Sequence, residues 1–427
     1  MVTAIIFGVF FLLILIGVPV AIALALGAII PLTLFSDLTL AVIAQKFFTA
    51  VDQYGLMAIP FFMIAGGLLE KGGVSKRLVN LANALIGWLP GGLAIVVFLA
   101  SAFFGAISGS SVATVAAIGS IMLPYMLEEG YPKGFSLATI ASAGYLGIIV
   151  PPSIPMVLFG LSAGASVGDL FLGGFIPGFM LAGGMAIYAI IYGVIHKDKL
   201  KKRAFSLKAL GEAFLDGIWA LIMPLIVLGG IYGGIFTPTE AAAISCVYGL
   251  LAGTLIYREL NLKKMAQILR SAVISTAMIM FVVAAATSFA FVLTREMVPA
   301  TVASFITSIC STRFEFLVAV TIFLFFVGMV MDTPPAILVL APLLAPIAQQ
   351  YGIDPVAFGV IMIVNLGIGL VTPPVGMNLY VAAGLQKDNA KIVINRHLWT
   401  YVGCSLLILI LLMAVPQIIM FIPNMAR

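Results

Sequence analysis

The sequence is poor in charge: only 9% of its 427 residues are Asp, Glu, Lys or Arg, while 63% are hydrophobic. An average soluble domain is about 25% charged, so a soluble fold is excluded. The groups that do chemistry are scarce as well. The only histidines, His196 and His397, sit beside loops, too isolated to form a metal or catalytic cluster. The three cysteines, Cys246, Cys310 and Cys404, share no motif spacing and fall in apolar runs, which predicts free, buried thiols. No G-x-x-x-x-G-K-S/T phosphate loop occurs, so energy is expected from an ion gradient or a partner and not from ATP hydrolysis by this chain. No Ser/His pair, paired Asp or H-E-x-x-H arrangement of an intramembrane protease is evident, and the chain does not read as an enzyme.

What is there is long apolar sequence. Residues 91–127, 134–168 and 355–386 contain no charge, and each stretch is long enough to enter a bilayer twice. The first charged residue is Asp37, so the run 5–32 lacks the basic region of a cleaved secretory signal and reads as a retained membrane segment. The net charge of +5 reflects basic residues in short loops, where orientation signals belong, and does not point to nucleic acid. Ten of the 21 Lys and Arg lie in two loops: Lys197, Lys199, Lys201, Lys202, Arg203 and Lys208 in one, Arg258, Lys263, Lys264 and Arg270 in the other. Both are expected to be cytoplasmic, and the two apolar runs between them, 217–235 and 241–257, return the chain to the same side.

The chain also repeats itself at an offset of 222 residues. Ser110-Ser111 falls on Asp332-Thr333, Pro124 on Pro346, Gly130 on Gly352, Gly147 on Gly369, and Pro151-Pro152 on Pro373-Pro374. Flanking segments fit more loosely, with Val74 against Val298 at 224 and the region 19–27 against 238–249. Two related halves follow, 1–195 and 217–427, joined by a basic loop at 196–216. Whether they are parallel or inverted stays open at this point; inverted repeats with interrupted helices are the common plan of secondary transporters.

Each half carries two breaks. A straight helix over the 37 residues 91–127 would be about 55 Å long against a hydrocarbon core of about 30 Å, so it must fold back, at Ser108-Gly109-Ser110-Ser111. With no charge at that turn, we read a re-entrant hairpin whose tip stops inside the membrane; the alternative is a tight turn between two ordinary spans. The second half repeats this over 316–353, breaking at Asp332-Thr333-Pro334-Pro335, where Asp332 is the sole charge at the break. A carboxylate there must face protein, water or a cation, and it can cap the following helix as well. The partner segments break at Val150-Pro151-Pro152-Ser153 in 134–168 and at Thr372-Pro373-Pro374-Val375-Gly376 in 355–386. Paired prolines free carbonyls of the preceding turn, and such groups are tolerated only inside protein or beside a wet cavity. Carbonyls and hydroxyls at about 2.3–2.5 Å suit a small hard cation such as Na⁺, and helix N-termini at the tips favour a carboxylate. Isolated kinks would explain one such break, but not four matched ones.

Five stretches carry a family resemblance: Ile59-Pro60-Phe61-Phe62, Phe104 through Ser111, Val150 through Pro155, Gly234 through Ala241 (GIFTPTEA), and Gly369 through Gly376 (GLVTPPVG). Together they span the chain, which resembles the large membrane subunit of tripartite ATP-independent periplasmic (TRAP) transporters. The resemblance implies an all-α polytopic elevator-type carrier, in which a transport domain of two re-entrant hairpins and two broken helices slides against a scaffold. It implies Na⁺-coupled uptake of an organic acid, sialic acid or a C4-dicarboxylate, at the bacterial inner membrane. It also implies two partners, a small four-helix membrane subunit and a periplasmic substrate-binding protein. Carried over by position, one Na⁺ is expected near Ser108, Ser110, Gly147, Val150 and Pro152, and a second near Gly328, Asp332, Gly369, Thr372 and Met377. Substrate is expected near Ser111, Ser153, Thr333 and Asn378. The chain departs from the pattern at Thr114, where relatives often have Asp, and at Tyr145, where a small residue is usual.

Outside these stretches, Glu240 behind Pro238 reads as a helix cap, and Arg295-Glu296 as an interface pair or orientation charges. The amphipathic stretch 38–52, with Lys46 and Asp52, is expected to lie flat on the surface and brace the scaffold. The competing reading in the same class is a stand-alone Na⁺- or H⁺-coupled dicarboxylate or anion carrier; a channel or structural scaffold is a third.

Overall fold

The computed structural model describes residues 2–35, 40–198, 200–201 and 204–426; Asp37, Lys199, Lys202 and Arg203 lie outside the described residues. Those described fold into helices, with no strand among them. The reason is solvent: where no water reaches the backbone, a helix satisfies its N–H and C=O groups within itself. Helix starts are fixed by caps. Ser110, Ser153, Ser206, Asn261 and Asp354 each accept a hydrogen bond from a first-turn backbone N–H. Thr237 with Glu240, and Thr312 with Glu315, complete capping boxes, so Glu240 has the structural role its position suggests.

The apolar run 5–32 is not one span. It forms Val2–Leu15 and Val20–Phe35, which pack side by side. Gly17, at φ +84°, and Pro19 turn the chain between them, a fold-back signal outweighed in the sequence by the run's length and apolarity.

Among the described residues, eight helices are long and apolar enough to cross a membrane. Two of them, Ser111–Glu128 and Arg313–Val330, are arms of re-entrant hairpins. Gly92–Ser108 packs on Ser111–Glu128 as the first hairpin, and Arg313–Val330 on Thr333–Gln350 as the second. The arms Ser111–Glu128 and Thr333–Gln350 stand 222 residues apart at both ends. The second break is narrower than its prolines suggest: the helix resumes at Thr333, placing Pro334 and Pro335 in its first turn, where their missing N–H groups cost nothing. The first broken helix runs Lys133–Gly144, Leu146–Ile149 and, after a 43° bend, Ile154–Ala163. The second runs Pro355–Gly369 and, after residues 370–376, Met377–Gly384. The bonds Pro151–Pro152 and Pro373–Pro374 are both cis.

Contacts between loops define two faces. At one, Arg77 reaches Asp216 and Glu259, Lys133 pairs with Asp388, and Asn395 Nδ2 donates to the Gly134 carbonyl at 2.9 Å. Lys71, Lys76, Arg258, Lys263, Lys264, Lys387, Lys391 and Arg396 sit in the same loops or beside them, so this is the basic face. At the other, Thr239 Oγ1 donates to the Tyr54 carbonyl, and Tyr351 Oη to that of Cys310. Between Val167–Ile195 and Arg396–Ala414 the chain crosses as Leu207–Tyr232, Pro238–Ile256 and Leu262–Arg295, and once more as the second broken helix. That number is even. The two flanking helices each follow a broken helix, yet they run in opposite directions, so the repeats are inverted and the hairpins enter from opposite faces.

The halves exchange elements. Ile154–Ala163 of the first packs on Thr333–Gln350 of the second, and Met377–Gly384 packs on Ser111–Glu128. This interlocked centre is the most buried part of the molecule, with every residue of Pro355–Gly369 except the first buried. Helix Leu262–Arg295 borders it and also contacts Val20–Phe35, Leu40–Val51 and Ala58–Lys71. The amphipathic stretch appears as Leu40–Val51, with Lys46 Nζ 4.9 Å from the centre of the Phe291 ring. Cys246, Cys310 and Cys404 are free thiols, Cys310 buried and the other two half-buried. His196 and His397 are less isolated than their spacing suggests, since both rings contact Tyr192.

Candidate functional site

Both hairpin tips open onto one interior cavity of about 470 Å³. Gly109, Ser110 and Ser111 line it from the first tip, Asp332, Thr333 and Pro334 from the second. Ile154 and Met377, the first residues of the far halves of the two broken helices, complete it, and Met278, Ile279 and Val282 of Leu262–Arg295 form the opposing wall. Four helices therefore start at this cavity, each turning the positive end of its dipole toward it, while the first-turn N–H groups of Ile154–Ala163 and Thr333–Gln350 are capped or, at Pro155, Pro334 and Pro335, absent. The one charged side chain in the lining is Asp332.

Behind the first tip, oxygens converge. Ser108 Oγ lies 3.3 Å from Thr114 Oγ1 and 3.5 Å from the Ser110 carbonyl, and Thr114 Oγ1 donates to that carbonyl at 2.8 Å. Gly147 closes the cluster from the broken helix: a Cβ there would come within 2.2 Å of Thr114 Oγ1 and 2.8 Å of the Ser110 carbonyl oxygen. The Pro152 carbonyl touches the tip at Gly109, whose own carbonyl accepts from the Ile154 N–H at 3.4 Å. Val150 meets Gly178 of Val167–Ile195 on its far side. These neutral oxygens, 2.8–3.5 Å apart, are of the type that a small hard cation takes as ligands. Thr114 stands at the middle of this cluster, a place its sequence position marked only as a departure from a pattern.

The second tip is built differently. Asp332 takes the place of Ser110 and caps its helix, with Oδ1 accepting from the Thr333 N–H at 2.8 Å. Among the described residues Oδ2 has no hydrogen-bond partner. Gly328 and Gly369 bring the hairpin arm against the broken helix; a Cβ on Gly369 would lie 2.5–2.9 Å from the Gly328 backbone. Thr372 Oγ1 donates to the Ile368 carbonyl at 2.8 Å, and the N–H groups of Val375 and Gly376 donate to that of Met329. Met377 lines the cavity.

The four residues expected at substrate divide. Ser111 and Thr333 line the cavity, and the buried Thr333 Oγ1 has no partner among the described residues. Asn378 lies just behind, joining the halves: Ser111 Oγ donates to its Oδ1 at 2.9 Å, and its Nδ2 donates to the Ala141 carbonyl at 3.2 Å. Ser153 faces away as a buried cap, donating to the Ile148 carbonyl and accepting from the Met156 N–H.

Inverted repeats whose re-entrant tips and broken helices enclose one cavity define a polytopic membrane transporter. The fold is similar to that of the YdaH transporter of Alcanivorax borkumensis, with a TM-score of 0.62, 16% identity, and 87% of this chain and 86% of that one covered. The sequence is more specific. Residues 7–418 match the family described as tripartite ATP-independent periplasmic transporter, DctM component, and the chain belongs to that family. It is 38% identical over 439 residues to the C4-dicarboxylate TRAP transporter large permease protein DctM of Rhodobacter capsulatus, covering 99% of this chain and 98% of that protein. It is 43% identical over 418 residues to the isethionate TRAP transporter permease protein DctMQ of Oleidesulfovibrio alaskensis, covering 98% of this chain but 66% of that longer protein.

Proposed function

We propose that this chain is the large permease subunit of a tripartite carrier that brings an organic acid across the bacterial inner membrane, driven by Na⁺. The carrying observation is the cavity between the tips, with an oxygen cluster behind one tip and a carboxylate at the other. Na⁺ at the first cluster is held by Ser108, the Ser110 carbonyl and Thr114, with Gly147, Val150 and Pro152 beside it. At the second, Asp332 is joined by carbonyl and hydroxyl oxygens of Gly328, Gly369, Thr372 and Met377. The acid lies between Ser111 and Thr333, with Ser153 and Asn378 supporting the helix starts around it, and its charge is met by helix N-termini and bound cations. Relatives named for a C4-dicarboxylate and for isethionate favour a small acid over sialic acid.

The interlocked hairpins and broken helices form the moving body of an elevator, and the outer helices of the halves 1–195 and 217–427 form its scaffold, joined by the segment 196–216, which is not all loop as expected, since 207–216 already begin the helix Leu207–Tyr232. Helix Leu262–Arg295 offers that body a wall of Met278, Ile279 and Val282, with Ser275 its one polar side chain, over which it can slide with few hydrogen bonds to break. The basic face is cytoplasmic. A small membrane subunit and a periplasmic binding protein complete the system. The test is uptake of labelled C4-dicarboxylates, isethionate and sialic acid into proteoliposomes under an inward Na⁺ gradient, with the chain alone and with both partners. Uptake confined to the complete system supports the reading. Na⁺- or H⁺-driven uptake by the lone chain would replace it with a stand-alone carrier.

A further inference from the structure

A second cavity, of about 310 Å³, lies beyond the first, toward the face opposite the basic one. The two share three helices. Ile154 lines the inner cavity and Leu158 and Ser162 the outer; Thr333 the inner and Leu338 the outer; Val282 the inner and Thr287 the outer. Each step is one or two helical turns, so the two cavities lie in line along these helices, from that face down to the tips. The outer one also has a single charged residue in its lining, Lys46, supplied by the surface helix Leu40–Val51. Lys46 is half-buried, held over the Phe291 ring, and lies with Gln53, Ser162 and Thr287 around this cavity. A cation in this outer cavity raises the local concentration of anions, and the inner cavity has no basic side chain in its lining to do so.

We propose that the outer cavity is an entry subsite for the carboxylate or sulfonate group of the substrate, with Lys46 as its anion-recognising residue. This rests on the reading of the chain as an organic-acid carrier. An acid entering from this face meets Lys46 first and passes from it to the helix N-termini at the tips. Lys46 is a specificity-determining residue for entry, and the cation clusters behind the tips do not depend on it.

The test is initial-rate uptake by the complete reconstituted system over a range of acid concentrations at fixed Na⁺. Lys46→Gln is expected to raise the half-saturating acid concentration roughly three- to tenfold while leaving the maximal rate and the half-saturating Na⁺ within about twofold. Lys46→Arg is expected to restore it. Raising ionic strength with choline chloride should weaken uptake at low substrate in the wild type and do so much less in Lys46→Gln. An unchanged half-saturating acid concentration in Lys46→Gln, while the wild type transports, overturns the subsite and leaves the carrier reading standing. So does a loss that Phe291→Leu reproduces in full and Lys46→Arg does not repair, since Lys46 would then be a packing group. If no acid is taken up by the wild type in any combination, the carrier reading itself falls, and the entry subsite with it.

Discussion

The two hairpin tips occupy equivalent places in the repeat and solve the same problem with different atoms. At the first, Ser108, the Ser110 carbonyl and Thr114 gather neutral oxygens within 3.5 Å of one another. At the second, the residue equivalent to Ser110 is Asp332 and the one equivalent to Thr114 is Ala336, so a hydroxyl and carbonyl set is exchanged for one carboxylate. A close backbone contact recurs in both halves, one residue out of the 222-residue register on the hairpin side; Gly105 meets Gly147 in one, and Gly328 meets Gly369 in the other. On the proposed reading, the duplicated frame sets where the two cation sites are, and a few side chains set how strongly each holds charge. A neutral cluster binds a cation at the full cost of burying its charge, whereas a carboxylate offsets that cost.

The comparison is broken most severely at Asp332. Asp332→Ala is expected to weaken Na⁺ by about 2–5 kcal/mol and so abolish gradient-driven uptake, read from the Na⁺ dependence of transport. Asp332→Asn separates the two roles of this residue. Asn caps a helix about as well as Asp, so a folded but Na⁺-insensitive Asn variant assigns the loss to charge. Full Na⁺ dependence in the Asn variant would remove the second site from this tip. Next in size are the glycine contacts. Gly369→Ala drives a Cβ into the Gly328 backbone, and a loss of about 1–3 kcal/mol is expected, visible as a lowered melting temperature in detergent. Gly147→Ala should match it, and a large difference between the pair would show that the frames are less alike than their spacing. Smaller again is Thr114→Val, which keeps the shape but removes one neutral oxygen. About 1 kcal/mol is expected, a roughly fivefold rise in half-saturating Na⁺ with melting temperature unchanged.

Legibility in the sequence followed the same division between frame and atoms. The breaks were readable because Pro151-Pro152, Pro373-Pro374 and the uncharged Ser108–Ser111 turn are local signals inside runs too long for one straight helix. The hairpin arms fall where the 222-residue offset puts them for the same reason. Inversion was not readable, since it depends on the parity of crossings, and the run 5–32 shows how a Gly-Val-Pro turn can hide one. The convergence of Thr114 Oγ1 with Ser108 and the Ser110 carbonyl was not legible, because it depends on Gly147, 33 residues away, whose missing side chain leaves room for it. The opposite holds at Ser153, whose position beside a break suggests the cavity; its side chain is consumed in capping Ile154–Ala163.

The smallest expected effect lies far from the tips, in the outer helices, where the halves differ again. Arg77, on Val74–Ile86, donates from Nε to Asp216 at 3.0 Å and from Nη1 to Glu259 at 2.7 Å and to the Gly73 carbonyl at 2.9 Å, and its guanidinium sits 3.7 Å over the Tyr257 ring. At the offset of 224 that relates Val74 to Val298, the equivalent residue is Thr301, which bonds only back to the Met297 carbonyl of its own helix. One corner of the outer helices is thus tied to Leu207–Tyr232 and to the loop that precedes Leu262–Arg295, and among the described residues the Thr301 side chain makes no such tie. Arg77→Lys keeps the charge but loses the planar fork and the ring stack, so about 1 kcal/mol of stability should go, a drop of a few degrees in melting temperature. Half-saturating Na⁺ and acid should not move, because none of its partners lines the cavity between the tips. A shift in either without loss of stability would mean that this corner is coupled to the moving body, and that the basic-face loops take part in the transport cycle instead of anchoring it.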